Sequence, residues 1–255
     1  MSISEKFDNI YKNFGFGYYD ETRSGHGSLL SSTEKIRDNI VRLVLEKKIT
    51  SITDFPCGDF NWMKEIVGIF KNYTGCDISQ TCIEDNKKKY PDYKFECLNL
   101  VEDKIPQSDL LFIRDVLGHL PLCDCKKIIE NILSSDCKYL LTTTFAKIKE
   151  NKWSSVKEDE LPRMNENLSD YGLFYPVNLM EEPYNFPLAE RFIEEDVEVI
   201  NYNNGVRKAL GFWKLDDLRK LFNKNNNPIN ELDKILSLLK NSNSNIIIQN
   251  LTINL

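Results

Sequence analysis

Two apolar runs, Leu110-Leu111-Phe112-Ile113 and Tyr139-Leu140-Leu141-Thr142, are too short for core helices. They suit strands covered by protein on both faces. Such strands belong to α/β sheets whose crossovers are helices. Ser51–Phe55, Tyr73–Cys76, Tyr93–Leu98, Asp109–Ile113 and Lys138–Phe145 read as strands. Asn61–Lys71, Ser79–Tyr90 and Leu122–Leu133 read as the helices between them. An earlier helix should begin near Ser32, where Ser32 and Thr33 can cap it and Ile36, Ile40, Leu43 and Val44 share one face. The alternation predicts an α/β fold with a mostly parallel sheet and right-handed crossovers.

The 255 residues fit one domain, 1–255, in four parts. Residues 1–32 are too aromatic for a disordered tail and read as an ordered arm or lid. Residues 33–145 form the alternating core. Residues 146–189 form an insertion rich in Pro, Tyr and Asn, and such long insertions are usually functional or disordered. Residues 190–214 return to the sheet, followed by helices at Asp216–Phe222 and Asn230–Leu239, a polar loop at Asn223–Asn227 and a last strand at Asn245–Leu255.

A net charge of −6 argues against nucleic acid as a partner and favours a small-molecule substrate. No apolar run approaches the roughly 20 residues of a membrane span. With no secretory leader and seven cysteines, an odd number, the expectation is a cytoplasmic protein with reduced thiols. Cys123-Asp124-Cys125 has the wrong spacing for zinc or redox motifs, so no metal site is expected.

The segment from Ile52 to Trp62, ITDFPCGDFNW, carries the most chemistry. A strand ends in Asp54, turns tightly at Gly58 and opens a predicted helix whose first N–H groups are free for a ligand. Asp77 ends the second strand about 20 residues on, where an acidic residue can hold ribose hydroxyls or cap the next helix. Asn99 ends the third strand. Arg114, Asp115 and His119 follow the fourth, at the end of an open sheet where ligands bind.

These strings resemble a bacterial subgroup of class I S-adenosylmethionine-dependent methyltransferases. The first motif of the wider class is usually Asp-x-Gly-Cys-Gly-x-Gly. Here Pro56 and Phe60 replace the outer glycines, yet Asp54-Phe-Pro-Cys-Gly-Asp-Phe-Asn-Trp-Met63 looks like the subgroup's own version. Arg114-Asp-Val-Leu-Gly-His-Leu120, Tyr139–Phe145, Tyr171–Leu179, Pro183–Pro187 and Lys208–Leu215 extend the likeness from about Ser24 to Leu218. The resemblance implies a Rossmann-like, mostly parallel seven-stranded sheet flanked by helices. It implies S-adenosylmethionine as cofactor, S-adenosylhomocysteine as product, and a small acceptor. Enzymes similar to these often occur with surface-polysaccharide biosynthesis genes, which suggests O-methylation of a sugar.

On that reading the cofactor contacts are Asp54, Pro56, Gly58, Asp59, Trp62, Asp77, Ile78, Asn99, Leu100 and Arg114, with Arg23 of the arm near the methionine carboxylate. Asn99 would accept the adenine amino group through its amide oxygen. Tyr175 and Asn178 are the acceptor-site candidates. His119 is either a general base or a buried histidine orienting its loop. Asp115 is the competing base, or the group that fixes the His119 tautomer. Arg114 could equally be a solvated charge, a salt-bridge partner or a cofactor contact. The rivals are transfer to nitrogen, a non-catalytic cofactor-binding protein, and a nicotinamide oxidoreductase, which would need more glycine at the turn.

Overall fold

The computed structural model describes residues 2–17, 19–149, 152–156, 164–165, 171–195 and 206–224. The elements are α1 (Ile3–Lys12), α2 (Leu30–Lys47), β1 (Ser51–Asp54), β2 (Asn72–Asp77), α3 (Gln80–Lys89), β3 (Lys94–Cys97), β4 (Leu110–Ile113), α4 (Leu122–Ser134), β5 (Tyr139–Lys149), β6 (Lys152–Ser154), β7 (Arg191–Glu194), β8 (Val206–Lys214) and α5 (Leu215–Lys224). The main sheet runs β3-β2-β1-β4-β5-β8-β7, with β6 added to the end of β5. β1 to β5 are parallel, and β8 lies antiparallel between β5 and β7. Because side chains alternate along a strand, each strand feeds both faces. Leu111, Ile113 and Leu140 enter the core under α4 and α5. Leu110, Phe112 and Leu141 enter the core under α2.

Among the described residues the predicted strands and most helices are present, with ends shifted by a few residues. Two expectations are overturned. Asn61–Lys71 is not an α-helix but two short 3₁₀ turns, Met63–Glu65 and Val67–Ile69. Phe60 takes the left-handed conformation (φ 61°), which turns the chain just where the helix would start. That conformation costs roughly 1–2 kcal/mol in a non-glycine residue. Burial of the Phe60 ring, worth about 1.5–3 kcal/mol, offsets it. The ring sits 4.9–5.3 Å from those of Tyr73, Tyr90, Tyr93 and Phe95. β-Branched Ile66, Val67 and Ile69, with Gly68, further weaken helix propensity.

The second correction concerns α2, which begins at Leu30 without Ser32 or Thr33 as its cap. Glu21 substitutes from a distance, accepting the Leu30 N–H at 2.6 Å. The arm also contains a helix, α1, that the sequence reading did not assign. Polar Asn223 belongs to α5, while the helix at Asn230–Leu239 and the strand at Asn245–Leu255 fall outside the described residues.

Candidate functional site

A cavity of about 330 Å³ opens at the carboxyl ends of β1, β2, β3 and β4. Asp54, Pro56, Gly58, Asp59 and Trp62 line it from β1 and the following turn. Asp77 and Ile78 line it after β2, Asn99 and Leu100 after β3, and Arg114, Asp115 and His119 after β4. All the predicted site residues except Arg23, Tyr175 and Asn178 therefore line one chamber. The arm expected at residues 1–32 also lines the chamber, through Ile3, Phe7 and Tyr11 of the unassigned helix α1 and through Ser24, Gly25, Gly27 and Ser28.

The Gly58 corner is built by hydrogen bonds. Asp77 accepts the N–H of Gly58 through one carboxylate oxygen (3.1 Å) and that of Ser79 through the other (2.9 Å). Ser79, not Asp77, caps α3, accepting the Cys82 N–H. A carboxylate has about four acceptor positions, so after the backbone bonds from Gly58, Ser79 and Ile78 Asp77 keeps capacity for a ligand hydroxyl. Burial pushes the Asp77 carboxyl up to about 6, against the bonds from Ser79 and Gly58. Asp54, accepting from the Tyr73 hydroxyl at 2.9 Å, is pushed by burial to about 8, despite that bond and the Arg114 charge. Gly58 has φ 51°, and any Cβ there would collide with the Ser24 hydroxyl. Because no α-helix follows, the turn itself, not a helix terminus, presents backbone to the chamber.

Asp59 ties the arm down. Its carboxylate accepts from the Thr22 hydroxyl, the Arg23 N–H and the Ser24 hydroxyl, at 3.1, 2.7 and 3.0 Å. Arg23 does not line the cavity: its guanidinium lies over the rings of Phe14 (4.7 Å) and Tyr11 (5.5 Å). The Asn99 amide oxygen accepts the Val101 N–H at 3.0 Å, which leaves one lone pair for a ligand.

Tyr175 and Asn178 are corrected. Both side chains are fully buried. The Tyr175 hydroxyl lies 3.2 Å from that of Tyr184 and 3.6 Å from the Cys125 sulfur. The Asn178 amide donates to Ser155 and Val156 and accepts from Met180. Tyr175 fastens the insertion to α4 and Asn178 ties the insertion to itself; both are engaged within the protein. From this segment the exposed Phe174 ring lies against His119 at the chamber's mouth, while Leu173 meets His119 through its carbonyl.

His119 stands at that mouth, its ring centroid 5.4 Å from that of Phe174 and 6.0 Å from that of Phe16. Nδ1 lies 2.8 Å from the Leu173 carbonyl oxygen. A carbonyl only accepts, so Nδ1 carries the proton and Nε2 is the acceptor of the neutral ring. The tautomer is thus fixed by Leu173, not by Asp115. Burial lowers the His119 pKa below its usual value, opposed by the Asp115 charge and the Leu173 bond and assisted by Lys208.

Behind His119 lies a charge cluster of which the sequence reading saw only half. Arg114 is buried and pairs with Glu195 at 2.7 and 3.2 Å. Lys208 reaches Asp115 at 2.7 Å and Glu195 at 3.1 Å. Arg114 also lies 3.6 Å from Asp115. Burial raises the Asp115 carboxyl, but Lys208 and Arg114 outweigh it and hold the group well below the usual carboxylate range. Arg114 is therefore a salt-bridge partner that also lines the chamber. Lys208 was detectable: a lysine inside the apolar run Val206–Trp213 needs a buried partner. Nothing in Glu194-Glu195-Asp196 marks Glu195 as that partner.

Among the described residues no group of His, Cys, Asp and Glu is arranged to hold a metal, and no helix is long and apolar enough to cross a membrane. The seven cysteines are unpaired thiols.

No protein-family model and no curated protein matches the sequence. Solved structures do match. Magnesium protoporphyrin IX methyltransferase from Synechocystis PCC 6803, with bound S-adenosylmethionine, is 13% identical with a TM-score of 0.53, over 83% of this chain and 96% of that one. Human N-acetylserotonin methyltransferase with S-adenosylmethionine is 15% identical with a TM-score of 0.48, over 83% and 59% of the two chains. The N-methyltransferase NodS from Bradyrhizobium japonicum, with S-adenosylhomocysteine, is 12% identical with a TM-score of 0.44, over 53% and 73%. The first likeness, over 83% of this chain and nearly the whole of the other, defines the fold as the Rossmann-like fold of class I methyltransferases.

Proposed function

We propose that this chain is a methyltransferase that uses S-adenosylmethionine to methylate a hydroxyl of a small acceptor. The observation that carries the reading is one chamber holding both the Gly58–Asp77 corner and the His119 ring. Its volume lies within the roughly 300–1,000 Å³ of small-ligand sites. The residues fit the cofactor: Asp77 has lone pairs for the ribose, Asn99 has one for the adenine amino group, and Asp59 and Asp77 add negative charge around a ligand of net positive charge. The fold likeness supports the same reading.

Asp77 and Asn99 would hold S-adenosylmethionine, which would supply an electrophilic methyl for transfer to the acceptor oxygen, with S-adenosylhomocysteine as the leaving group. The chain's task is to position the acceptor and remove one proton. His119 takes that proton at Nε2. Asp115 is a poor base, because Lys208 and Arg114 already stabilise its charge. The mouth beside His119, between Phe16 and Phe174, receives the acceptor. Within this reading we assign a sugar or sugar-linked hydroxyl as acceptor, which rests on the sequence resemblance alone, and the cytoplasm as compartment, which the seven unpaired cysteines support.

Calorimetric titration with S-adenosylhomocysteine tests the cofactor. The wild type should bind it and not bind a nicotinamide cofactor. Asp77→Ala should lose roughly 1.5–3 kcal/mol, about 10- to 100-fold in affinity. His119→Ala should bind normally yet slow methylation about 10²–10⁴-fold in a panel of glycosides, phenols and amines. Absence of S-adenosylhomocysteine binding would overturn the cofactor. Normal turnover by His119→Ala would overturn the base, and a preference for amines would overturn transfer to oxygen.

A further inference from the structure

Asp115 and His119 flank the same chamber, and an ionised carboxylate beside an imidazole normally drives it to the protonated form, which cannot accept a proton. The geometry around Asp115 counters this. One carboxylate oxygen accepts from the Lys208 ammonium at 2.7 Å and lies 3.6 Å from Arg114. The other accepts from the Thr143 hydroxyl at 3.2 Å, and that hydroxyl accepts the Asp115 N–H at 2.9 Å. Lys208 is itself held by Glu195 at 3.1 Å, and Glu195 by Arg114. Asp115 has φ 57°, the left-handed region that a non-glycine residue keeps only when its surroundings enforce it. The groups facing His119 are Asp115 on its own turn, Lys208 on β8, the Leu173 carbonyl and Phe174 on the insertion, and Phe16 on the arm.

We propose that Lys208 is a positioning residue that keeps His119 a neutral proton acceptor, by holding the Asp115 carboxylate and cancelling its field at the imidazole. This rests on His119 being the general base. Lys208 does not line the chamber; it acts by holding Asp115 and by its own charge near the imidazole. Two counter-charges on β8 and β4 make Asp115 part of a neutral cluster of two cations and two anions. A change at Lys208 leaves that carboxylate with the Thr143 hydroxyl and, among the described cations, the more distant Arg114.

The chain has two histidines, so ring resonances of labelled histidine report His119 directly, with His26→Gln to assign them and His26 as internal reference. Lys208→Met should raise the proton affinity of His119 on the order of tenfold, moving its titration to higher pH. Lys208→Arg, which keeps a cation there, should leave it near the wild-type value. Asp115→Asn should move it the other way. If Lys208→Met fails to fold, the charge-balanced Glu195→Gln/Lys208→Met protein, compared with Glu195→Gln alone, reads the same effect. A His119 titration unchanged by loss of the lysine, or equally altered by Lys208→Arg, overturns the proposal. Titration needs no cofactor or acceptor, so its outcome is independent of S-adenosylhomocysteine binding, which tests the methyltransferase reading separately.

Discussion

Asp54 shows how burial alone changes what a residue can be. It ends β1 with 3% exposure, and only the Tyr73 hydroxyl and the Arg114 charge favour its ionised form. With its pKa at about 8 when folded and near 3.8 otherwise, it is a neutral acid at pH 7. A carboxyl raised in the folded state stabilises the fold fully below its unfolded pKa. That stability is lost as pH rises through the folded value, between about 4 and 8. Asn is isosteric, cannot ionise, and can still accept from Tyr73. Asp54→Asn should therefore gain stability relative to wild type as pH rises across that window, then level off. Urea unfolding at pH 4.5 and about pH 8 measures the difference; a gap independent of pH would place Asp54 in its ionised form. The sequence placed Asp54 correctly at a strand end, but charge state depends on neighbours that only folding brings together. Asp77 was legible for the same reason of position. Tyr175 and Asn178 were misread because a polar side chain in an insertion looks alike whether it faces a ligand or fastens a loop.

At the scale of elements, α1 does more than extend the chain. Its capping box is closed at both ends: the Ser2 hydroxyl accepts the Glu5 N–H, and the Glu5 carboxylate accepts the Ser2 N–H. The Ser-x-x-Glu spacing, followed by Phe7, Ile10 and Tyr11, was the available signal for this helix. The helix docks through Asp8, which accepts from the Ser79 hydroxyl (2.8 Å) and from the N–H (2.9 Å) and hydroxyl (3.2 Å) of Thr81, at the start of α3. The Asp8 carboxyl is raised by partial burial, but these bonds and Lys12 hold it well below the usual range. Asp8→Ala removes them together and should cost roughly 1–3 kcal/mol. The more specific expectation is local. Amide exchange should quicken in α1 while β1, β2 and β4 stay protected, and S-adenosylhomocysteine should bind more weakly because Ile3, Phe7 and Tyr11 wall the chamber. Unchanged exchange in α1 would mean the helix is held by its apolar face alone. The sheet elements were legible because a strand buried on both faces has few alternatives. The failed helix at Asn61–Lys71 was not, because Phe60 turns left-handed only in the company of four rings from β2, α3's end and β3.

Across the whole molecule, the sheet and the chemistry share one electrostatic joint. Arg114 leaves β4, Thr143 lies on β5, Lys208 on β8, and Glu195 follows β7, so the cluster joins four strands that are adjacent in the sheet. Arg114, Lys208 and Glu195 are 7%, 9% and 1% exposed at their side chains, too little for water to replace a lost partner. Removing one member of such a cluster leaves an uncompensated buried charge, at a cost of roughly 3–5 kcal/mol. Glu195→Gln leaves two cations sharing Asp115. Lys208→Met leaves two anions sharing Arg114. Each should destabilise the fold by about that amount. The double variant restores one cation to one anion, with Arg114 and Asp115 already 3.6 Å apart. It should therefore be more stable than the sum of the single losses predicts, with a coupling of roughly 1–3 kcal/mol. Urea midpoints at constant slope for the wild type, both single variants and the double give that coupling directly. Strict additivity would mean that Lys208 and Glu195 are stabilised independently, and that the four strands are held by their ladders and cores without this joint.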